Sequence, residues 1–255
     1  MWKSNEVEIV HCSYHKCLTV YYAKVMSGLV GGRGAVEQQY KHFNSRLDEF
    51  NASKDDYKIA SVNNHFLDFK NISSKIKVSR FIRDPRDLVV SGFFYHKRGA
   101  EKWCHVQDPV DEDWLVVNGT VPQGVGAGQS FATYLQGLSD EDGMIAEIEF
   151  RKKHFESMAL WPSDNARLMT IRYEDIIGNE EREFGKLFDF YKLSKKQKLA
   201  GFELVNKYAA NKQNGKTEHI RNPKTSQWKD YFTPKVTDYF KQVHGGLIEN
   251  YDYEW

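Results

Sequence analysis

Lys75-Ile76-Lys77-Val78-Ser79-Arg80-Phe81-Ile82-Arg83-Asp84-Pro85-Arg86-Asp87-Leu88-Val89-Val90-Ser91-Gly92-Phe93 decides the fold class. Its first eight residues are rich in β-branched side chains and predict a strand. Asp84-Pro85 then predicts a helix start, with Asp as the cap and Pro at the first helical position. That helix runs through Leu88, Val89 and Phe93 to about Lys97. A strand turning directly into a helix is the building unit of a parallel α/β sheet.

The same alternation extends both ways along the chain. Glu6 to Cys12, Tyr57 to Val62 and Ala166 to Ile171 read as further strands. Thr19 to Leu29 has helical spacing and is stopped by Gly31 and Gly32. Helices are also predicted from Ser130, from Ser139, and over Glu180 to Tyr191, Ser194 to Tyr208 and Pro234 to His244. Residues 98–129 show no period and hold Gly119, Gly124, Gly126 and Gly128, which predicts a long functional loop. The expected architecture is α/β: a P-loop-like, three-layer α/β/α domain spanning 1–255. Its central, mainly parallel sheet has about four to five strands. Ligands of such sheets bind beyond the carboxyl ends of the strands, so site residues are sought there.

Bulk properties narrow the function classes. Lys plus Arg is 36 against 35 for Asp plus Glu, so the basic excess of a nucleic-acid binder is missing and no nucleic-acid partner is expected. No run of about 18 apolar residues occurs, so no membrane span is predicted. Cys12, Cys17 and Cys104 form no CxxC pair and no zinc framework, so no metal is expected. With no signal peptide visible, the expected setting is soluble and cytoplasmic, and the sequons at Asn51, Asn71 and Asn118 are read as chance matches.

Three segments carry chemistry. Ser13-Tyr14-His15-Lys16-Cys17-Leu18-Thr19 joins the first strand to a helix, whose N-terminal amides and partial positive charge favour an anion. Lys16 adds a mobile charge. Cys17 follows it where a Walker A loop has Ser or Thr. Arg83 ends the third strand, and Ser91 places a hydroxyl two turns into the next helix. His219 to Phe232 forms a basic segment containing Arg221, Asn222, Pro223, Ser226, Trp228 and Lys229.

Together these segments resemble the sulfotransferases that use 3′-phosphoadenosine-5′-phosphosulfate (PAPS). His15, Lys16, Cys17 and Thr19 match the 5′-phosphosulfate loop, with Leu18 at its usual glycine and Val20 at its second hydroxyl. Arg83 and Ser91 match the 3′-phosphate motif without a gap. Arg221, Trp228, Lys229 and Phe232 match the C-terminal nucleotide loop, where Asn222, Pro223 and Ser226 replace Lys, Gly and Gly. Arg172-Tyr173-Glu174-Asp175 is similar to an element that sets a tyrosine near the adenine. The resemblance implies PAPS as co-substrate, adenosine 3′,5′-bisphosphate (PAP) as product, and no metal. It implies cofactor contacts from His15, Lys16, Cys17, Leu18, Thr19, Val20, Arg83, Ser91, Tyr173, Arg221 and Asn222.

Sulfuryl transfer needs the leaving oxygen's charge neutralised and a base for the acceptor. Lys16 suits the first role and His65, following the second strand, the second. Phe94, Trp103 and Trp114 are expected to line the pocket of a small-molecule acceptor bearing a hydroxyl or amine. Two alternatives stay open: a PAPS- or PAP-binding protein without catalysis, and a P-loop-type nucleotide kinase. Oligomeric state is not readable from the sequence.

Overall fold

Five short strands form one sheet: β1 (Ile9–Cys12), β2 (Tyr40–His42), β3 (Ile59–Ser61), β4 (Lys77–Ile82) and β5 (Leu168–Arg172). Their order is β2-β3-β1-β4-β5, and every pair is parallel. The computed structural model describes residues 7–30, 39–53, 57–209 and 222–255. Its chain divides into two units, Met1–Ile82 with Pro162–Pro223, and Arg83–Trp161 with Lys224–Trp255.

The first unit holds the sheet with helices α1 (Thr19–Val30), α2 (Leu47–Ala52), α7 (Tyr173–Ile176), α8 (Glu180–Phe190) and α9 (Lys195–Tyr208). The α/β expectation holds, with a P-loop-like strand-to-helix turn after β1. All four residues of β1 are buried, as a parallel strand covered on both faces requires. The sequence pattern missed β2, because three residues at a sheet edge are too short to show a period.

A polar row crosses the sheet. His42, Ser61, His11 and Ser79 are adjacent in register on four neighbouring strands. His11 Nδ1 lies 2.8 Å from Ser79 Oγ, and its ring stacks on Tyr22 of α1 at 3.5 Å. Tyr191 closes the circuit, 2.5 Å from Ser79 Oγ and 2.9 Å from the Tyr22 hydroxyl. Burial holds the His11 imidazole well below its ordinary 6.5, with His42 adding a smaller effect of the same sign.

The second unit is helical: α3 (Pro85–Lys97), α4 (Phe131–Gly137), α5 (Asp140–Phe150), α6 (Lys152–Ala159), the one-turn helix Trp228–Tyr231 and the C-terminal helix Pro234–Asn250. The predicted Asp84 cap is in place, accepting from the Arg86 amide, and at the predicted helix starts Ser130 accepts from the Thr133 amide and Ser139 from the Asp142 amide. At the centre Glu147 accepts from Arg151 Nε at 2.8 Å and from His96 Nδ1 at 2.7 Å, all three fully buried. Gly92 makes room for this group, since a Cβ there would stand 2.0 Å from Glu147 Oε1. The C-terminal helix continues past its predicted end at His244, but with a break there (φ −140°).

Residues 98–129 are packed and contain two 3₁₀ turns, Lys102–His105 and Asp111–Trp114. His154 Nε2 donates to the Val117 carbonyl at 2.7 Å, and Lys153 ties Asp111 to the Gly119 carbonyl. Gly119 is needed for contact, because a Cβ would come within 2.3 Å of the Phe150 ring. Among the described residues, no helix is long and apolar enough to cross a membrane.

The buried neutral His11 makes stability depend on pH. Below its ordinary value of 6.5 the unfolded chain takes up a proton that folded His11 refuses, so stability is present above 6.5 and is lost as pH falls. The loss approaches about 1.4 kcal/mol per pH unit for one such group. Chemical denaturation from pH 7.5 to 5 should therefore show a steeper decline for the natural chain than for His11→Asn. Parallel declines would remove His11 as the cause.

Candidate active site

The turn between β1 and α1 is built from unusual backbone. The Cys17 amide donates to the Tyr14 carbonyl at 2.8 Å, closing a tight turn around His15 and Lys16. Lys16 (φ 72°) and Leu18 (φ 59°) are both left-handed. That conformation is natural for glycine and costs an L-residue roughly 1–2 kcal/mol. Leu18 thus keeps the backbone of a glycine position despite its side chain. Among the described residues, the amides of Leu18, Thr19 and Val20 have no acceptor. No acidic side chain occupies the first turn of α1. Free amides, a helix N-terminus and half-buried Lys16 create a local demand for negative charge. Cys17 is fully buried and shapes the turn from inside, whereas Val20 is exposed.

The loops after β2 and β3 brace this turn. Asn64 Oδ1 accepts from the His15 amide at 2.6 Å, while its amide group donates to Ser45 Oγ at 2.8 Å. Asn63 Oδ1 accepts from Ser13 Oγ at 3.0 Å, and the Asn64 amide donates to the Ser13 carbonyl. Asn63, Asn64, Ser13 and Ser45 are all buried. Sequence reasoning missed all four, and only the short polar residues just past strand ends hinted at them. His65 follows directly. Its Nε2 donates to the Ser45 carbonyl at 2.6 Å, which fixes the neutral ring with its lone pair on Nδ1. Burial lowers the His65 pKa below 6.5, partly opposed by that hydrogen bond and by Asp48.

Tyr173 opens α7 immediately after β5, and its hydroxyl donates to the Pro223 carbonyl at 2.9 Å. Its neighbour in that segment, Asn222, is half-buried. Arg221 lies outside the described residues.

In the second unit, α3 carries the other motif. Arg83 is 2% exposed, with Nη2 3.6 Å from Asp87 and 3.4 Å from the Lys224 carbonyl. Asp84 grips Arg86 through both oxygens, at 2.9 and 2.7 Å, and Arg86 stacks on Trp228 at 3.6 Å. Asp87 accepts from the Trp228 amide at 2.9 Å. These contacts dock segment 224–228 on the first turn of α3. Ser226, which stands where the resembled motif has glycine, is left-handed with φ 58°. Desolvation pushes the Asp87 carboxyl up, and Arg83 and the donated amides partly offset that.

Ser91 is half-buried, and among the described residues its hydroxyl has no hydrogen-bond partner. It does not bond back to its own helix. Phe94 is half-buried, with its ring 5.0 Å from Tyr231. Trp103 and Trp114, expected to line the acceptor pocket, are buried. They are 7% and 0% exposed, packed on Phe131 and Phe150, and secure residues 98–129 to the helices. No group of three or more metal-binding side chains occurs among the described residues.

Comparison with known proteins follows the same lines. No curated protein matches the chain in sequence. Its fold is similar to mouse sulfotransferase SULT7A1 complexed with PAP: TM-score 0.53, 15% identity, covering 98% of this chain and 87% of that one. It is also similar to retinol dehydratase in complex with androsterone and PAP: TM-score 0.51, 14% identity, covering 97% and 82%. The model of the sulfotransferase domain matches residues 2–251, so the chain belongs to the sulfotransferase domain family.

Proposed function

We propose that this enzyme transfers a sulfuryl group from PAPS to a hydroxyl or amine of a small-molecule acceptor, its two units serving one sulfotransferase domain. The observation that carries the donor assignment is the trio of amides at Leu18, Thr19 and Val20, without acceptors among the described residues and beside Lys16. They suit a 5′-phosphosulfate group. The partnerless Ser91 hydroxyl and the buried Arg83 fork suit a 3′-phosphate. By resemblance Arg221 and Asn222 join Arg83, and Tyr173 lies near the adenine. The single family match over 2–251 supports one domain. The androsterone bound by retinol dehydratase supports a small-molecule acceptor, and half-buried Phe94 is assigned to its contacts.

PAPS brings the transferable group and a stable anionic leaving group, which makes a metal unnecessary. Lys16 and the turn amides hold that anion as its charge grows. Arg83 and Ser91 fix the nucleotide's far end, and that binding energy orients the near end. His65 is neutral at pH 7 and serves as the base for the acceptor proton. The Asn64 brace occupies the His15 amide, so the anion is held by donors further along the turn.

Three outcomes test this reading. Excess PAP should raise the melting temperature, and Arg83→Lys should weaken PAP binding about tenfold, because an ammonium cannot reproduce the guanidinium fork. Absence of any PAP binding by the folded natural chain would sink the proposal. Leu18→Gly should bind PAP at least as tightly as the natural chain and Leu18→Val more weakly, since only glycine adopts φ 59° without strain. The reverse order would show that the left-handed turn is not the anion cradle. With an acceptor panel, His65→Ala should lower PAPS turnover by about 10²- to 10⁴-fold while sparing PAP affinity. In the natural enzyme, kcat/KM should hold steady from pH 8 to 6.5 and decline only below, as His65 protonates.

A further inference from the structure

Residues outside every nucleotide motif line a cleft of about 560 Å³, wholly within the helical unit. It is bounded by residues 120–123, the end of α5, α6, and the C-terminal helix at its break. That volume falls within the usual range for small-ligand sites. Its inner polar groups are mostly acceptors. Glu149 is half-buried and takes only the Tyr239 hydroxyl, at 3.2 Å, with no ion pair among the described residues. The Thr120 hydroxyl is buried and has no hydrogen-bond partner among the described residues. His244 stands at the helix break with its ring against Phe155 and Phe240. Burial, helped by Lys152, holds it down to about 4, so it is neutral at pH 7.

The Glu149 carboxylate thus has one neutral donor and no ion pair among the described residues. Beside it sit an unused hydroxyl and a neutral imidazole, each able to accept one N–H. Lys152 and Glu156 on the rim are exposed and carry opposite charges, so Glu149 sets the sign inside. Val121, Pro122 and Ile148 give the walls an apolar character. We infer that this cleft is a binding site for a small organic ammonium with an apolar body. Glu149 receives the charge, and Thr120 and His244 accept its remaining N–H groups. The site is separate from the residues assigned to PAPS and does not depend on that assignment.

Calorimetry on the full chain with hexylammonium chloride, hexanol and hexanoate tests the inference. Hexylammonium should bind at least tenfold more tightly than hexanol, and hexanoate should give no heat. Glu149→Gln, which keeps an acceptor for Tyr239, should lose at least tenfold in hexylammonium affinity, and Thr120→Val should lose a smaller factor. Equal affinities for hexylammonium and hexanol would overturn the inference. So would an unchanged affinity in Glu149→Gln, because the amine would then be bound elsewhere. Should Glu149→Gln not fold, an unchanged affinity in Thr120→Val overturns it equally.

Discussion

Main-chain amides meet an anion only when the backbone turns them outward together, and the proposed anion site rests on the bend of the chain after β1. Two non-glycine residues, Lys16 and Leu18, adopt left-handed conformations within three positions. Such strain persists where surrounding structure over-determines it, and it gathers at functional sites. Here the over-determination is visible. Asn64 holds the His15 amide, Ser45 holds Asn64, and Asn63 holds Ser13, so loops from three neighbouring strands lock one turn. A parallel sheet makes this arrangement natural, because every strand delivers its following loop to the same end.

The helical unit solves a similar problem with charge. Arg83, proposed to meet a phosphate, is 2% exposed. Asp87 lies 3.6 Å from it, long for a tight pair, while its other oxygen is engaged by the Trp228 amide. The neighbouring pair behaves differently: Asp84 grips Arg86 closely, and Arg86 is stacked on Trp228, so that guanidinium is structural. Two arginines three residues apart are thus held differently, one bidentate and stacked, the other at a longer distance from its carboxylate. Deeper in the unit, Glu147 with Arg151 and His96 sets the spacing between α3 and α5, and only glycine at position 92 permits the approach.

Much of this was legible in residue order. The strand–Asp–Pro–helix segment announced its own boundaries, because capping and the proline constraint are local. The motif residues were legible because phosphate chemistry demands particular side chains at particular spacings. The burial of Trp103 and Trp114 was not legible, for the opposite reason. An aromatic residue in a glycine-rich segment looks the same whether it faces a pocket or a core, and burial alone distinguishes the two.

Sequence by itself determined the alternation of strands and helices, the family, and the identity of Lys16, Arg83, Ser91 and His65 as candidates. These depend on side-chain chemistry and on interactions spanning a few residues. Tertiary structure alone decided the edge strand β2, the polar row through His11, the Asn64 brace and the acidic cleft around Glu149. Each of these joins residues tens of positions apart, and a contact made only when strands and helices pack leaves no period or spacing along the chain.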